Sequence, residues 1–162
     1  MRVILFVLIL VMSFSTVAVG CNDTMENVNV KIYFIDAGMM RLVSNNTSVI
    51  KSSPEHQAKC VLNELIKGKD ENTKIRRLIP DMKRCMSVRV NGKTAYVNIK
   101  EKMISSHPDG RELERLTVYQ IVNSLTSIEG IDNVKFTVNG RVQKNFMGFL
   151  DMRETFVPDY TI

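Results

Sequence analysis

Every second residue from 28 to 34 is apolar, and the positions between them carry Asn29, Lys31 and Tyr33. Because side chains along a strand point alternately to its two faces, this period of two predicts a β-strand with one buried face. Gly38 interrupts the pattern. The apolar stretches on either side of Asn45-Asn46 then indicate a second extended segment or an irregular hairpin.

The apolar spacing changes to that of a helix after residue 53. Ser53 is a typical N-cap residue, Pro54 suits the first helical position, and Gly68 supplies a stop. The apolar positions that share one helical face are Ala58, Val61, Leu62, Leu65 and Ile66. Residues 69–84 are charged and weakly periodic, which predicts a loop with one strand-like turn at 74–79.

Residues 86–99 carry the clearest local signal. Two alternating segments are separated by Asn91-Gly92, a dipeptide typical of a two-residue type I′ turn. That turn predicts that Val90 pairs with Lys93 and that the apolar side chains of both strands collect on one face. The opposite face is expected to carry Arg89, Thr94, Tyr96 and Asn98.

A second helix is predicted from about residue 110 to 127, with Asp109 and Glu112 spaced as a variant of the capping box. Its apolar face consists of Val118, Ile121, Val122, Leu125 and Ile128. A strand at 134–138 follows and ends at Asn139-Gly140, which indicates another tight turn. Three aromatic side chains of the C-terminal segment are expected to lie against the domain, namely Phe146, Phe149 and Phe156.

The first 20 residues have the features of an export signal. Met1-Arg2 forms a short, positively charged N-terminal region, and residues 3–19 are uncharged and mainly apolar. The run closes with Ala18-Val19-Gly20-Cys21, which resembles a bacterial lipobox; such signals are cleaved before the cysteine, whose thiol carries diacylglycerol. We interpret 1–20 as a lipoprotein signal peptide, Cys21 as the lipidation site and 21–27 as a tether. An uncleaved membrane anchor and secretion without lipid are the alternatives, and all three place the domain outside the cytoplasm.

The remaining 28–162 suit a single domain, since the chain has 162 residues of which 44% are hydrophobic. A domain of this size buries roughly 68–70% of its unfolded surface, so neither metal nor disulfides are needed for folding. Cys60 and Cys85 fit either a disulfide or buried free thiols. No Cys/His grouping has the spacing of a zinc site, and we expect no cofactor.

Candidates for catalysis are few. His56 and His107 have no partner that the sequence identifies, and we expect both to be solvated surface residues. Capping and solvation explain the carboxylates of Asp109, Glu112 and Glu114. Nucleophile, metalloprotease, phosphate-loop and dinucleotide motifs are missing from the sequence. We therefore predict no catalytic residues and no enzymatic activity.

The net charge is +5 and the pI about 9.2, and the most biased stretch is the connector between the first helix and the hairpin. One interpretation is a solvated loop of mixed charge; the other is contact with anionic lipid, wall polymer or an acidic partner. The basic residues concerned are Lys67, Lys69, Lys74, Arg76, Arg77, Lys83 and Arg84. Nucleic acid is not an expected partner, because export removes the protein from it and no stacking motif accompanies these residues.

The second helix contains Gln-Ile-Val-Asn-Ser-Leu-Thr at 120–126, and the following strand closes with Val-Asn-Gly at 138–140. With the lipoprotein signal, the capped helix and the hairpin in this order, residues 28–150 resemble the GerMN domain of sporulation and spore-germination lipoproteins. The resemblance implies an α+β fold similar to ring-building motifs, with two helices packed on one face of a small mixed sheet. Tandem members of the family carry two such domains, and the match here covers one.

Two functional hypotheses follow. The resemblance implies an assembly module, lipid-anchored at the extracytoplasmic face of the membrane, in a protein complex of the sporulation or germination envelope. The basic connector and the exported location suggest the alternative, a lipoprotein that binds peptidoglycan or assists a wall-active enzyme.

Overall fold

The structure is a computed structural model that describes residues 26–68, 75–76, 85–146 and 148–162. Within these ranges the strands form two three-stranded sheets. In the first sheet the central strand β1 (Asn27–Asp36) is antiparallel to both β2 (Leu42–Ile50) and β3 (Ile75–Arg76). The second sheet consists of β4 (Met86–Asn91), β5 (Thr94–Ile99) and β6 (Asn133–Val138). Strands β4 and β5 are antiparallel, whereas β5 and β6 are parallel.

Three helices complete the described part of the chain: α1 (Pro54–Lys67), α2 (Glu101–Ser105) and α3 (Arg111–Leu125). Helix α1 packs against β4 and β1, and helix α3 packs against β1, β6 and α1. One hydrophobic core therefore joins the inner faces of both sheets through the two long helices. The predicted α+β class is confirmed, and the mixed sheet is the second of two.

The predicted first strand and first helix are confirmed. Val30, Ile32 and Phe34 are buried on one face of β1, and β2 runs through Asn45-Asn46 without a turn. In α1 the Ser53 hydroxyl accepts a hydrogen bond from the His56 backbone N–H at 3.3 Å. Every predicted apolar position of this helix is buried: Ala58, Val61, Leu62, Leu65 and Ile66. The strand-like turn of the connector is the two-residue β3.

The hairpin of β4 and β5 forms with a different register from the predicted one. Asn91 pairs with Thr94 and Val90 with Ala95, so the turn residues are Gly92 and Lys93. Gly92 has a φ of 56° and Lys93 does not adopt a positive φ. Glycine at the first central position is characteristic of a type II′ turn, which replaces the predicted type I′ turn. The shift is two residues, so the apolar side chains stay on the inner face.

The start of α3 also differs from the prediction. The N-cap is Gly110, with a φ of 139°, and no side chain caps the helix. The capping box of Asp109 and Glu112 is therefore wrong; a glycine conformation sets this boundary instead. The predicted apolar face is confirmed, because all its members are buried: Val118, Ile121, Val122, Leu125 and Ile128. The short helix α2, which buries Met103, was not predicted.

The C-terminal segment crosses α3 and joins the two sheets. Phe156 pairs with Val134 of β6, and its ring packs against Phe136. The Asn123 side chain, which is fully buried, donates to Asp159 O at 2.6 Å and accepts from Asp159 N at 3.0 Å. Further along, Leu42 N of β2 donates to the carbonyl oxygen of Ile162 at 3.2 Å. The segment thus runs from the edge of one sheet to the edge of the other.

Of the three phenylalanines expected against the domain, Phe146 and Phe156 are buried. Phe149 is 48% exposed, and the Arg111 guanidinium lies 5.4 Å from its ring centre. This cation–π contact covers one side of the ring while leaving the other in solvent.

Glu114 and His107 are buried, and the prediction of solvated side chains is wrong for both. The Glu114 carboxylate accepts hydrogen bonds from the backbone N–H groups of Phe149 and Leu150 at 3.1 and 3.0 Å. These two hydrogen bonds fix the loop before the C-terminal segment, an arrangement that local sequence spacing does not reveal.

His107 lies between α2 and α3, where burial lowers the pKa of its imidazole. Nδ1 lies 2.7 Å from Pro108 O. Because a carbonyl oxygen can only accept a hydrogen bond, Nδ1 must carry the proton. In the neutral ring Nε2 therefore accepts a hydrogen bond from Thr117 Oγ1 at 2.7 Å. These two hydrogen bonds fix the neutral imidazole as the tautomer protonated at Nδ1. The nearby carboxylates of Glu114 and Asp109 oppose the burial effect and raise the pKa in part.

Removing the Asn123 side chain should loosen the C-terminal segment. Asn123→Ala deletes both hydrogen bonds to Asp159, and we expect the free energy of unfolding to fall by about 2 kcal/mol. Urea denaturation measures the loss. The exposed Asn46→Ala variant is the matched control and should change stability by less than about 0.5 kcal/mol. Equal stability of the two variants would contradict the bridging role.

The stability of the fold should depend on pH through His107. Burial holds its folded-state pKa below the ordinary histidine value of 6.5, so the unfolded chain takes up the proton first as the pH falls. The free energy of unfolding should therefore decrease as the pH falls through 6.5 towards the folded-state pKa, with a slope of at most about 1.4 kcal/mol per pH unit from this residue.

Denaturation curves between about pH 7.5 and 5.5 test this dependence. His107→Gln keeps a donor and an acceptor but removes the titrating group, so it should flatten the curve. His56→Gln, at an exposed position of α1, should keep the slope. Identical pH slopes in the wild type and His107→Gln would refute the assignment.

Candidate functional site

One long edge of β1 is closed by the end of α3. Ser124 Oγ accepts from Tyr33 N at 2.9 Å, and Ser127 Oγ accepts from Lys31 N at 3.1 Å. The Ser127 hydroxyl also lies within donating distance, 2.9 Å, of Lys31 O. The two hydroxyls occupy the place of a neighbouring strand and prevent strand addition on this side.

These bonds also define which groups of β2 face outward. Because the N–H groups of Lys31 and Tyr33 point away from β2, the antiparallel partners Asn46 and Ser44 must point away from β1. By the same alternation, Ser48 points outward as well. The backbone groups of these three residues have no backbone hydrogen bond to any other part of the described chain.

The open part of β2 is bounded at both ends. Ile162 O occupies the outward N–H of Leu42, and the Ser52 hydroxyl donates to Ile50 O at 3.1 Å. Between them, residues 44–48 present three backbone donors and three acceptors at alternate positions. We call this segment the β2 edge. It contains no proline, charged side chain or bulge, the usual devices that prevent strand pairing.

On the outer strands of the second sheet, β4 and β6, outward backbone groups are hydrogen-bonded to other parts of the chain. On β4, Val90 N donates to Glu55 Oε2 at 3.1 Å. The hydrogen bond from Lys59 and the one from Val90 together lower the pKa of the Glu55 carboxyl, which keeps it charged in this role. On β6, Phe156 bonds to Val134, and Arg141 bonds to Val138. The β2 edge differs from these because its outward backbone groups have no backbone partner in the part of the chain that the structure describes.

A second surface is the outer face of the second sheet. Arg89 pairs with Tyr96, and Tyr96 pairs with Lys135, so the three side chains form one row across the strands. All three are exposed, and the Tyr96 side chain is 42% accessible. A parallel row contains Ser87, Asn98 and Thr137. We call this surface, with both rows, the outer sheet face. The prediction that Arg89, Tyr96 and Asn98 share a face is confirmed.

The outer sheet face borders a cleft of about 700 Å³. Glu55 and Lys59 of α1 form one wall, and the Gly140 turn lies at the other end. Lys59 Nζ is 2.6 Å from Glu55 Oε1, so these opposite charges are paired. Arg89 and Lys135 have no ion pair with any residue in the described ranges.

Most of the predicted basic cluster lies outside the described residues, as do Cys21, the signal peptide and most of the tether. Lys67 is exposed and its Nζ is 2.7 Å from Glu64 Oε1. Arg76 lies in β3, where the backbone pairs with Ile35. The other members fall outside the described ranges: Lys69, Lys74, Arg77, Lys83 and Arg84.

Cys60 and Cys85 are free thiols. Cys85 is buried, and its burial raises the pKa of the thiol, whereas Cys60 is half-buried. Across the described ranges, no group of three or more His, Cys, Asp or Glu side chains is placed to hold a metal ion. None of the helices in these ranges combines the length and apolar character needed to cross a bilayer.

Sequence reasoning did not identify the β2 edge or Lys135 as functional candidates. Part of the signal for the edge was present, because residues 42–50 carry no charge and have β-branched residues at both ends. The outward position of Lys135 also follows from the alternation of its strand. Its alignment with Tyr96 depends on the parallel pairing of β5 and β6, which no local pattern specifies.

Three solved structures share this fold. A crystal structure from Clostridium perfringens, assigned as a lipoprotein, matches with a TM-score of 0.59 and 18% identity over 84% of this chain and 91% of that one. The first GerMN domain of the sporulation protein GerM from Bacillus subtilis matches with a TM-score of 0.59 and 23% identity over 77% and 92%.

The tandem GerMN domains of the same Bacillus subtilis protein match with a TM-score of 0.59 and 22% identity, covering 78% of this chain but 44% of that one. The chain therefore corresponds to one of the two domains. A search of curated proteins gave no match. At the level of sequence families, the Germane family, described as "Sporulation and spore germination", matches residues 31–144. Since this match covers more than half of the chain, the protein belongs to the sporulation and spore germination family and carries a GerMN domain.

Proposed function

We propose that this protein is a lipid-anchored assembly module of an envelope complex that serves sporulation or spore germination. In this role it binds a partner protein through the β2 edge, and we assign it no enzymatic activity. The observation that carries the proposal is the run of backbone donors and acceptors at Ser44, Asn46 and Ser48 that have no backbone partner among the described residues.

Strand addition fits the chemistry of this edge. An extended partner segment gains affinity from main-chain hydrogen bonds, and its side chains decide specificity. The neighbouring side chains of the β2 edge are hydroxyls and amides, which suits a polar partner and disfavours uncontrolled apolar aggregation. Ile162 and Ser52 limit the length of the added strand, because they occupy groups at either end.

The lipid anchor is supported by the lipobox-like residues before Cys21 and by the fold shared with a Clostridium perfringens protein assigned as a lipoprotein. β1 begins at Asn27, six positions after the proposed anchor at Cys21. Six extended residues span at most about 20 Å. An anchor at Cys21 therefore keeps the domain close to the membrane surface, where membrane-bound partners are concentrated.

Cys21→Ser should abolish lipid attachment. We expect loss of radiolabelled palmitate incorporation, because the acceptor thiol is missing, and accumulation of the uncleaved precursor. Labelling followed by immunoprecipitation and gel mobility measures both. Cys60→Ser is the matched control and should be labelled like the wild type. Labelling that persists in Cys21→Ser would place the lipid elsewhere or replace it with another anchor.

Asn46→Pro should block partner binding while leaving the domain folded. Proline removes an outward N–H that the fold does not use, and its ring obstructs an incoming strand. We expect affinity purification of the lipidated protein from sporulating cells, with mass spectrometry, to lose those partners that the wild type recovers.

Asn46→Ala is the matched control, because it changes the same side chain and keeps the backbone donor. It should recover the same partners as the wild type. Circular dichroism establishes that both variants are folded. Partner recovery by folded Asn46→Pro at wild-type levels would exclude the β2 edge as the docking site, and normal spores from a deletion strain would count against the cellular role.

A further inference from the structure

The outer sheet face has the chemistry of a polar ligand site that the proposed assembly role does not use. Tyr96 lies at the centre of its row, with Arg89 on one side and Lys135 on the other. Adjacent strands lie about 4.8 Å apart, so the two cations start from backbones about 10 Å apart with the aromatic ring between them.

The neighbouring row supplies neutral hydrogen-bonding groups. Asn98 Oδ1 accepts from Thr137 Oγ1 at 3.1 Å and from Gly140 N at 2.6 Å, which fixes the orientation of the amide. Asn98 Nδ2 donates to no other residue of the described chain and borders the cleft. The Ser87 hydroxyl lies in the same row. Hydroxyl and amide groups beside an exposed ring are suited to a ligand rich in hydroxyl groups.

Charge on this surface selects the occupant. Arg89 and Lys135 have no ion pair among the described residues, and the one carboxylate in the lining of the cleft, that of Glu55, already accepts from Lys59 and Val90. A second copy of the same face would bring like charges together and is disfavoured. An apolar helix would leave the polar row without partners and is disfavoured as well. The surface therefore complements an anionic, hydroxyl-rich chain.

We propose that the outer sheet face binds the glycan strand of peptidoglycan. A sugar ring stacks on Tyr96, carboxylates attached to the strand contact Arg89 and Lys135, and sugar hydroxyls meet Asn98 and Ser87. Arginine presents a planar fork of donors that matches a carboxylate, and lysine supplies a point charge. This surface is separate from the β2 edge, so wall binding and partner binding are independent activities of one domain.

The test measures binding of full-length lipidated protein, in detergent micelles, to soluble peptidoglycan fragments released by a muramidase. Isothermal titration gives the affinity. We expect Tyr96→Ala to weaken binding about tenfold and Arg89→Gln about threefold, as loss of an aromatic contact and of an exposed ion pair predict. Tyr96→Phe keeps the ring and should stay within about twofold of the wild type.

Lys31→Gln is the matched control, because it removes an exposed cation from the outer face of the other sheet and should leave the affinity unchanged. Circular dichroism verifies the fold of each variant. Absence of saturable binding, or equal affinities for the wild type and Tyr96→Ala, would overturn the proposal. Equally tight binding to poly(glycerol phosphate), a polyanion without sugar rings, would overturn it too, because charge alone would then explain the interaction. Recovery of protein partners should be unaffected by Tyr96→Ala.

Discussion

The contact between β1 and the end of α3 is the constraint on which the arrangement of this domain depends. Ser124 and Ser127 satisfy backbone groups that a neighbouring strand would otherwise bind. Ser124 lies in α3 and Ser127 follows the last residue of this helix by two positions. Because α3 also packs on β6, the same contact joins the two sheets. It also makes the first sheet asymmetric: on the side away from β2, β1 is covered by the end of α3 and by the short β3, whereas the outward backbone groups at 44–48 of β2 have no backbone partner among the described residues.

Local sequence patterns predicted most of the strands and helices, but they did not predict how these elements pack against one another. The alternation of β1 and the apolar stripe of α1 are properties of short segments, and both were predicted. The hairpin register depended on whether Gly92 takes the first or second turn position, and glycine is favoured at the first position of a type II′ turn as well as at the second position of a type I′ turn. Glu114 and His107 were misassigned because their partners, Phe149, Leu150 and Thr117, are contributed by segments that only the tertiary fold brings close.

The candidate sites were less predictable than the fold for a related reason. An exposed strand edge is a property of the sheet and not of the strand, so residues 42–50 showed strand propensity without showing which side would be open. The row of Arg89, Tyr96 and Lys135 combines a hairpin with a parallel crossover strand. The pairing of Arg89 with Tyr96 follows from the short turn between β4 and β5. The pairing of Tyr96 with Lys135 requires the intervening helix α3 to bring β6 beside β5.

The short length of the β2 edge has a consequence for how such a module can work. Three donors and three acceptors, each contributing about 1 kcal/mol net, give a docking interaction that must also offset the ordering of the added strand. Isolated from a membrane, that balance favours weak and reversible association. Anchoring both partners on one surface raises their effective concentration, which strengthens overall binding without any new contact. In the proposed role, a docking edge of modest affinity and a short membrane tether are therefore complementary, since each supplies what the other lacks.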